Sequence, residues 1–130
     1  MVRLLKIKYP QLRAVVEIPD DTEIETVNSV SMRADYRKDG QRMMLELEGI
    51  SKSEEHPEWF DLYAKIVGVF ECTPVETAEE RKQLHLEGYD LLFPFLQSLF
   101  ADFTVKAGLP PYHLEKPTID FHDVIVESQK

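Results

Sequence analysis

The chain has 130 residues, of which 43% are hydrophobic and 30% charged, and its formal net charge at pH 7 is −9. These values are typical of one globular domain, and no apolar run approaches the roughly 18 to 20 residues that cross a bilayer. The acidic balance argues against nucleic-acid binding, which depends on neutralising phosphates, so we expect basic or apolar partners. The single cysteine, Cys72, excludes an internal disulfide and favours a cytoplasmic location.

The beginning of the chain differs from the rest in charge. Residues 1–16 contain four basic side chains and no acidic one. Pro10 has no amide hydrogen, so a strand through it is confined to a sheet edge or interrupted by a bulge. We therefore predict that residues 1–20 form an N-terminal extension or an edge strand, with a docking arm for a partner as the alternative.

The middle of the chain, residues 22–75, has the two-residue period of antiparallel strands. Polar and apolar side chains alternate from Thr22 to Tyr36, Asp39-Gly40 is a hairpin turn signal, and the alternation resumes after it. The stretch "WFDLYAKIVGVFEC" then places apolar groups on both faces of a third strand. Because a sheet of this kind needs only one covered face, we expect the second face to be covered too, for example by another subunit. That second face carries Trp59, Tyr63, Val67 and Val69.

A helical period follows the strands. Thr77 and Glu80 have the spacing of a capping box, which begins a helix, and Gly88 is placed to end it. Asp90 is suited to cap a second helix, with Pro94 in the first turn, where a missing amide hydrogen costs little. We therefore predict two helices over residues 77–108 and an extended C-terminal segment over residues 109–130.

The second predicted helix is unusually apolar, and Gly108 with the prolines after it is expected to end it. At about 100° per residue its apolar side chains span an arc of about 200°, roughly twice what a surface helix needs. One sheet cannot cover that arc, so a partner or a symmetry-related subunit is expected to bury the excess. The arc contains Leu92, Phe93, Leu96, Leu99, Phe100, Phe103 and Ala107, and Leu91 and Phe95 widen it.

Three short motifs are similar to those of a known family. The stretch "VGVF" at 67–70 is followed, twenty residues later, by "LLFPF" at 91–95, and "AGLPPYHLEKPTIDF" follows the helix. This order resembles the Gly-Ile-Phe and Leu-Phe-Pro-Tyr pairing and the proline-rich C-terminal pattern of the SecB export chaperone family. Within that superfamily the sequence looks closest to an uncharacterised branch of Gram-positive cocci, the DUF1149 group. The resemblance covers residues 22–126 in element order.

The resemblance implies an α+β fold in which an antiparallel four-stranded sheet carries two helices on one face, in subunits that form dimers and often tetramers. It also implies ATP-independent binding of unfolded or non-native polypeptides, a chaperone-like holdase activity with a role in protein export. The sequence departs from the SecB pattern at its N-terminal "MVRLLKIKYPQLR" and after Phe121, where it reads "HDVIVESQK" and SecB usually carries a polar tail that helps to engage the translocation motor. Contacts with the motor therefore do not transfer.

Other chemistries have little support in the sequence. His56, His85, His113 and His122 show neither a paired spacing of four residues nor an HExxH arrangement, so we expect no metal site. A glycine-rich phosphate loop and a nucleophile elbow are both missing, so we expect no cofactor and no enzymatic activity.

Three functions remain open at this point. The first is a SecB-like holdase for non-native polypeptides, and the second is an oligomeric interaction module of the same fold with one specific partner. The third is a small-molecule binding protein, or an enzyme without a recognisable motif, with a pocket between sheet and helices. The candidate polypeptide-binding or oligomer-interface residues are Met43, Trp59, Tyr63, Val67, Val69, Leu91, Phe95, Leu99 and Phe103.

Overall fold

A computed structural model describes residues 2–37, 41–117 and 125–128, and within them the chain forms five strands and one helix. The sheet has the strand order β1-β4-β3-β2-β5; strands β1 to β4 are antiparallel to their neighbours, and β5 lies parallel to β2 at the far edge. The predicted turn at Asp39-Gly40 lies outside the described residues. The elements are β1 (Val2–Val16), β2 (Thr26–Tyr36), β3 (Arg42–Ser53), β4 (Phe60–Cys72), α1 (Ala78–Lys106) and β5 (Ile125–Ser128).

The predicted α+β class with four antiparallel strands is confirmed, and a fifth strand, β5, adds to them in parallel at the β2 edge. The prediction of two helices is wrong. One helix of 29 residues runs from Ala78 to Lys106 without a break at Gly88. Gly88 lies directly against β3, where an added Cβ would be 2.4 Å from Leu45 Cδ1. The glycine therefore permits close approach of helix and sheet, which is a different role from ending a helix.

Pro94 lies inside this helix and not in its first turn. It cannot donate a hydrogen bond to the carbonyl of Asp90, which is itself a helical residue and not a cap. The helix continues because Leu92, Phe93 and Leu96 on either side of the proline are fully buried against the sheet. Tertiary packing thus overrides the local stop signals.

Both ends of the helix follow the sequence prediction. Thr77 is the N-cap, and its hydroxyl oxygen accepts a hydrogen bond from the backbone N–H of Glu80 at 3.1 Å. At the other end Gly108 has a φ of 84°, a left-handed conformation that favours glycine, and the Leu109 N–H donates to the Thr104 carbonyl at 3.0 Å. The helix therefore begins and ends at specific side-chain and backbone contacts.

The core lies between α1 and one face of the sheet. Alternate residues of each central strand point to the helix and are almost fully buried. This is the expected pattern for a sheet with one face packed against a helix. The buried core comprises Met32, Ala34, Tyr36, Met43, Leu45, Leu47, Phe60, Leu62, Ala64, Ile66, Phe70, Cys72, Leu84, Tyr89, Leu92, Phe93, Leu96, Phe100 and Leu114.

Strand β1 is an edge strand that pairs only with β4 among the described strands. Its register shifts between Leu4 and Lys6 and again between Lys8 and Gln11, so Pro10 falls inside the second irregularity. A proline at such a position removes no ladder hydrogen bond. The N-terminal segment is thereby fixed to the sheet over most of its length.

Candidate polypeptide-binding surface

The two flanks of α1 have different surroundings. One flank is covered by residues 109–117, which we call the C-terminal strap: Gln97 Nε2 donates to the carbonyl of Leu114 at 2.9 Å. The strap also reaches β2, because the Tyr112 hydroxyl donates to Asn28 Oδ1 at 2.8 Å. The covered flank is therefore the side of the helix that faces β2.

The opposite flank is open. Leu91 and Phe95 are 43% and 40% exposed, and Leu99 and Phe103 are half-buried. The helix contacts β1, β4 and β3, so the flank that faces away from the strap lies on the β1 side. We call this surface, formed by Leu91, Phe95, Leu99 and Phe103, the helix flank.

The neighbouring edge strand adds further apolar surface. Leu12 pairs with Ala64 and therefore shares the helix side of the sheet, yet it is 50% exposed, and Leu5 in the first bulge is exposed as well. Neither residue is among the candidates from the sequence. The register shifts in β1 make it impossible to infer from alternation alone which side of the sheet each side chain faces. An apolar area thus extends from the helix flank toward an unpaired strand edge.

The outer face of the sheet carries a smaller apolar patch. Val67 is buried, Val69 is half-buried and Met44 beside them is exposed. Charged pairs border this patch: Arg42 lies 3.3 Å from Glu71, and Lys65 lies near two glutamates of β3. A cleft of about 380 Å³ opens at the same patch and is lined by Asp35, Tyr36, Arg37, Arg42, Met44 and Val69.

Tyr63 on this face belongs to a polar network. Its hydroxyl is hydrogen-bonded to Glu48 at 2.9 Å and to Gln11 at 3.0 Å, and the Arg13 guanidinium lies 5.0 Å from its ring centroid. Partial burial and the Glu48 carboxylate raise the pKa of Tyr63. The side chain therefore fastens β1 to the sheet and contributes little free apolar surface.

The two remaining candidates are separate from the helix flank. Trp59 precedes β4, and its ring stacks on His56 with centroids 3.8 Å apart, while its carbonyl accepts the Glu17 N–H at 2.7 Å. Met43 is fully buried beneath Gly88 and offers no surface to a partner in this fold. The structure therefore brings together Leu91, Phe95, Leu99 and Phe103, and it distributes the other five candidates among the core, the outer sheet face and a loop.

His85 is a buried polar residue in the core, stacked obliquely on Tyr36 at 5.6 Å. Burial, with the Arg81 charge as a smaller cause, lowers the pKa of His85 to about 4. Within the described part of the chain no three His, Cys, Asp or Glu side chains form a metal site, and His122 lies outside it. No helix in these same residues is long and apolar enough to cross a membrane.

An α+β domain whose helix leaves one apolar flank in solvent is suited to contact other polypeptides, and comparisons with known proteins point the same way. A family model described as preprotein translocase subunit SecB matches residues 7–130, so the chain belongs to the SecB family. The protein-export protein SecB of Neorickettsia sennetsu (strain ATCC VR-367 / Miyayama) is 28% identical over 127 residues, which cover 93% of this chain and 76% of that protein. The resemblance inferred from the three motifs is confirmed.

A solved structure has the same fold. A SecB-like chaperone of Mycobacterium tuberculosis, in complex with a ChAD peptide from an antitoxin, aligns with a TM-score of 0.68 at 15% identity over 90% of this chain and 88% of that one. Membership of the SecB family, with a protein-export protein among the relatives, supports a chaperone-like role here. Membership of the DUF1149 branch stays a prediction.

Proposed function

We propose that this protein binds unfolded or non-native polypeptides without ATP and holds them in the cytoplasm, in the service of protein export. The observation that carries the proposal is the helix flank, where Leu91 and Phe95 are about two-fifths exposed beside a half-buried Leu99. Folded monomers rarely leave contiguous large apolar groups in water without a binding role. Unfolded chains expose apolar side chains that folded proteins bury, so they are the partners that this surface fits.

We also propose that the protein acts as a homo-oligomer, either a dimer or a tetramer. Joining several helix flanks in one particle would give a long client more than one attachment point, and avidity would compensate for weak individual contacts. The net charge of −9 supports solubility of a loaded complex.

The second candidate is an interaction module that buries its apolar surface permanently between subunits and binds one specific partner. The exposed Met44 beside Val69 on the outer sheet face favours it, because this second apolar patch lies on the opposite side of the sheet from the helix flank. Such a module would form a tight oligomer and would not discriminate between folded and unfolded forms of an arbitrary protein.

The experiment that separates the two candidates is equilibrium binding of one labelled polypeptide in two states. Micromolar or tighter binding to a permanently unfolded form, with at least tenfold weaker binding to the folded form, supports the holdase. A stable oligomer that binds neither form supports the specific module.

A further inference from the structure

The C-terminal strap lies along the covered flank of α1 as an extended chain. Over residues 112–115 its side chains alternate in exposure: Tyr112 is half-buried and Leu114 is 1% exposed, whereas His113 and Glu115 face solvent. The two-residue alternation is that of a strand. Its inner side chains fill the space between α1 and β2.

Side chains of α1 hold the main chain of the strap. The Thr104 hydroxyl oxygen accepts the Tyr112 N–H at 2.8 Å, Gln97 Nε2 donates to the Leu114 carbonyl at 2.9 Å, and the Tyr89 hydroxyl donates to the Pro117 carbonyl at 2.8 Å. Residues 89, 97 and 104 are about two turns apart and so lie on one side of the helix. The three polar side chains form a row directed at an extended polypeptide.

The three contacts do not depend on the amino-acid sequence of the strap. Each uses a backbone N–H or C=O group, which almost every residue of any polypeptide supplies. Among the described residues, no backbone-to-backbone hydrogen bond joins residues 110–117 to the rest of the protein. An incoming chain could therefore replace the strap without disrupting the sheet.

Sequence-specific attachment of the strap is concentrated in two side chains. Leu114 is buried in the core, and Tyr112 places its ring 5.5 Å from Phe60 while its hydroxyl bonds Asn28. The Lys116–Asp90 ion pair at the end of the strap is largely exposed and contributes little.

We propose that the space between α1 and β2 is a second polypeptide-binding channel and that the strap is its internal ligand. An extended non-native segment with an aromatic residue two positions before an aliphatic one has the chemistry to displace it. This inference rests on the proposed function and adds that client binding competes with the strap. If only a fraction of the molecules have an open channel, the apparent affinity for such a client equals the intrinsic affinity multiplied by that fraction.

The test uses the full chain and compares Leu114→Ser with Glu115→Ser. The first loses the anchor of the strap, and the second changes the neighbouring exposed side chain. Two probes are used: a permanently unfolded, labelled polypeptide, and a synthetic peptide with the sequence of residues 108–117. The Leu114→Ser protein should bind the unfolded polypeptide about tenfold more tightly than wild type, since burial of leucine no longer closes the channel. Glu115→Ser should match wild type.

The synthetic peptide keeps the inference testable if the proposed function fails. It should bind Leu114→Ser and compete with the unfolded polypeptide there, while wild type and Glu115→Ser should bind it at least tenfold more weakly. If all three proteins bind the peptide equally, or if none of them binds it, the strap does not act as an internal ligand of the channel. Peptide binding without competition overturns the shared channel and leaves the holdase intact.

A second variant and a direct measurement on wild type keep the inference testable if Leu114→Ser does not fold. Tyr112→Ser weakens the strap from a half-exposed position and should also strengthen client binding. In wild type, saturation with unfolded polypeptide should speed hydrogen exchange of the Tyr112 amide, because its bond to Thr104 is lost. Unchanged exchange at saturation would overturn the inference.

Discussion

Phe95→Asp is the substitution that bears most directly on the helix flank. Phe95 is 40% exposed in the protomer. This exposed part becomes buried only when a client or another subunit covers the helix flank. Full burial of a phenylalanine stabilises by about 1.5 to 3 kcal/mol, so the exposed part accounts for about 1 kcal/mol of binding. A carboxylate in the same place must lose water against apolar groups, which adds about 2 kcal/mol or more. The expected loss is about 3 kcal/mol, or roughly a hundredfold in affinity.

The matched control is Leu86→Asp. Leu86 is 36% exposed on the same helix and lies nine positions before Phe95, which at about 100° per residue places it on the opposite side. Both variants lose a similar amount of buried apolar surface, so their free energies of unfolding in urea should fall by similar amounts.

The assay is fluorescence anisotropy of a labelled unfolded polypeptide, with the mass of each protein measured by light scattering. Phe95→Asp should lose client binding, oligomerisation or both, while Leu86→Asp, which lies on the strap side of α1, should retain the wild-type mass. Wild-type mass and affinity in Phe95→Asp would refute the assignment of a binding role to the helix flank.

Three further predictions concern stability. Gly88→Ala should lower the free energy of unfolding by about 1 kcal/mol, although alanine favours helices, because its Cβ would meet Leu45 at 2.4 Å. His85 has a folded pKa of about 4 against an ordinary 6.5, so stability should be complete above pH 6.5 and should fall by up to about 3 kcal/mol as the pH decreases toward 4. Arg13→Met should cost at most about 1 kcal/mol and speed hydrogen exchange in β1, because it removes the two bonds to Asp61 at 3.0 and 3.1 Å.

Each of these predictions has a simple contradiction. A Gly88→Ala protein as stable as wild type would show that the Leu45 side chain can move away from the added Cβ without cost. In the His85→Met variant the free energy of unfolding should no longer show this fall between pH 6.5 and 4. An unchanged fall would mean that other titrating groups cause it. Unaltered exchange in β1 of Arg13→Met would show that this pair does not hold the edge strand.

Features of local origin could be predicted from the sequence. The alternation from Thr22 to Tyr36 predicted β2, which begins four residues later at Thr26 and ends at Tyr36. The Thr77 cap and the Gly108 terminus could be predicted because they depend on neighbours in the chain. The prediction of two helices was wrong because Gly88 and Pro94 are each compatible with two kinds of local structure. A glycine can end a helix or admit a close neighbour, and only the position of Leu45 in space decides between them.

The width of the apolar arc on the helix could be predicted from the sequence, but not which of its two flanks is covered. Its width indicated burial beyond the sheet, but the sequence could not show that the strap covers one flank and leaves Leu91 and Phe95 on the other. The polar residues Gln97 and Thr104 within that apolar stretch were the available signal, since polar groups near a buried helix face require partners. The burial of Met43 in the core could not be predicted, because the face of a strand that becomes buried depends on the side on which the helix packs.

The measurement that tests the central claim most directly is the affinity of the wild-type protein for one polypeptide presented first permanently unfolded and then folded, with the particle mass recorded in the same buffer. The proposed holdase predicts an oligomer that binds the unfolded form with micromolar or tighter affinity and the folded form at least tenfold more weakly. A stable oligomer that binds neither form, or binds both equally, would contradict it.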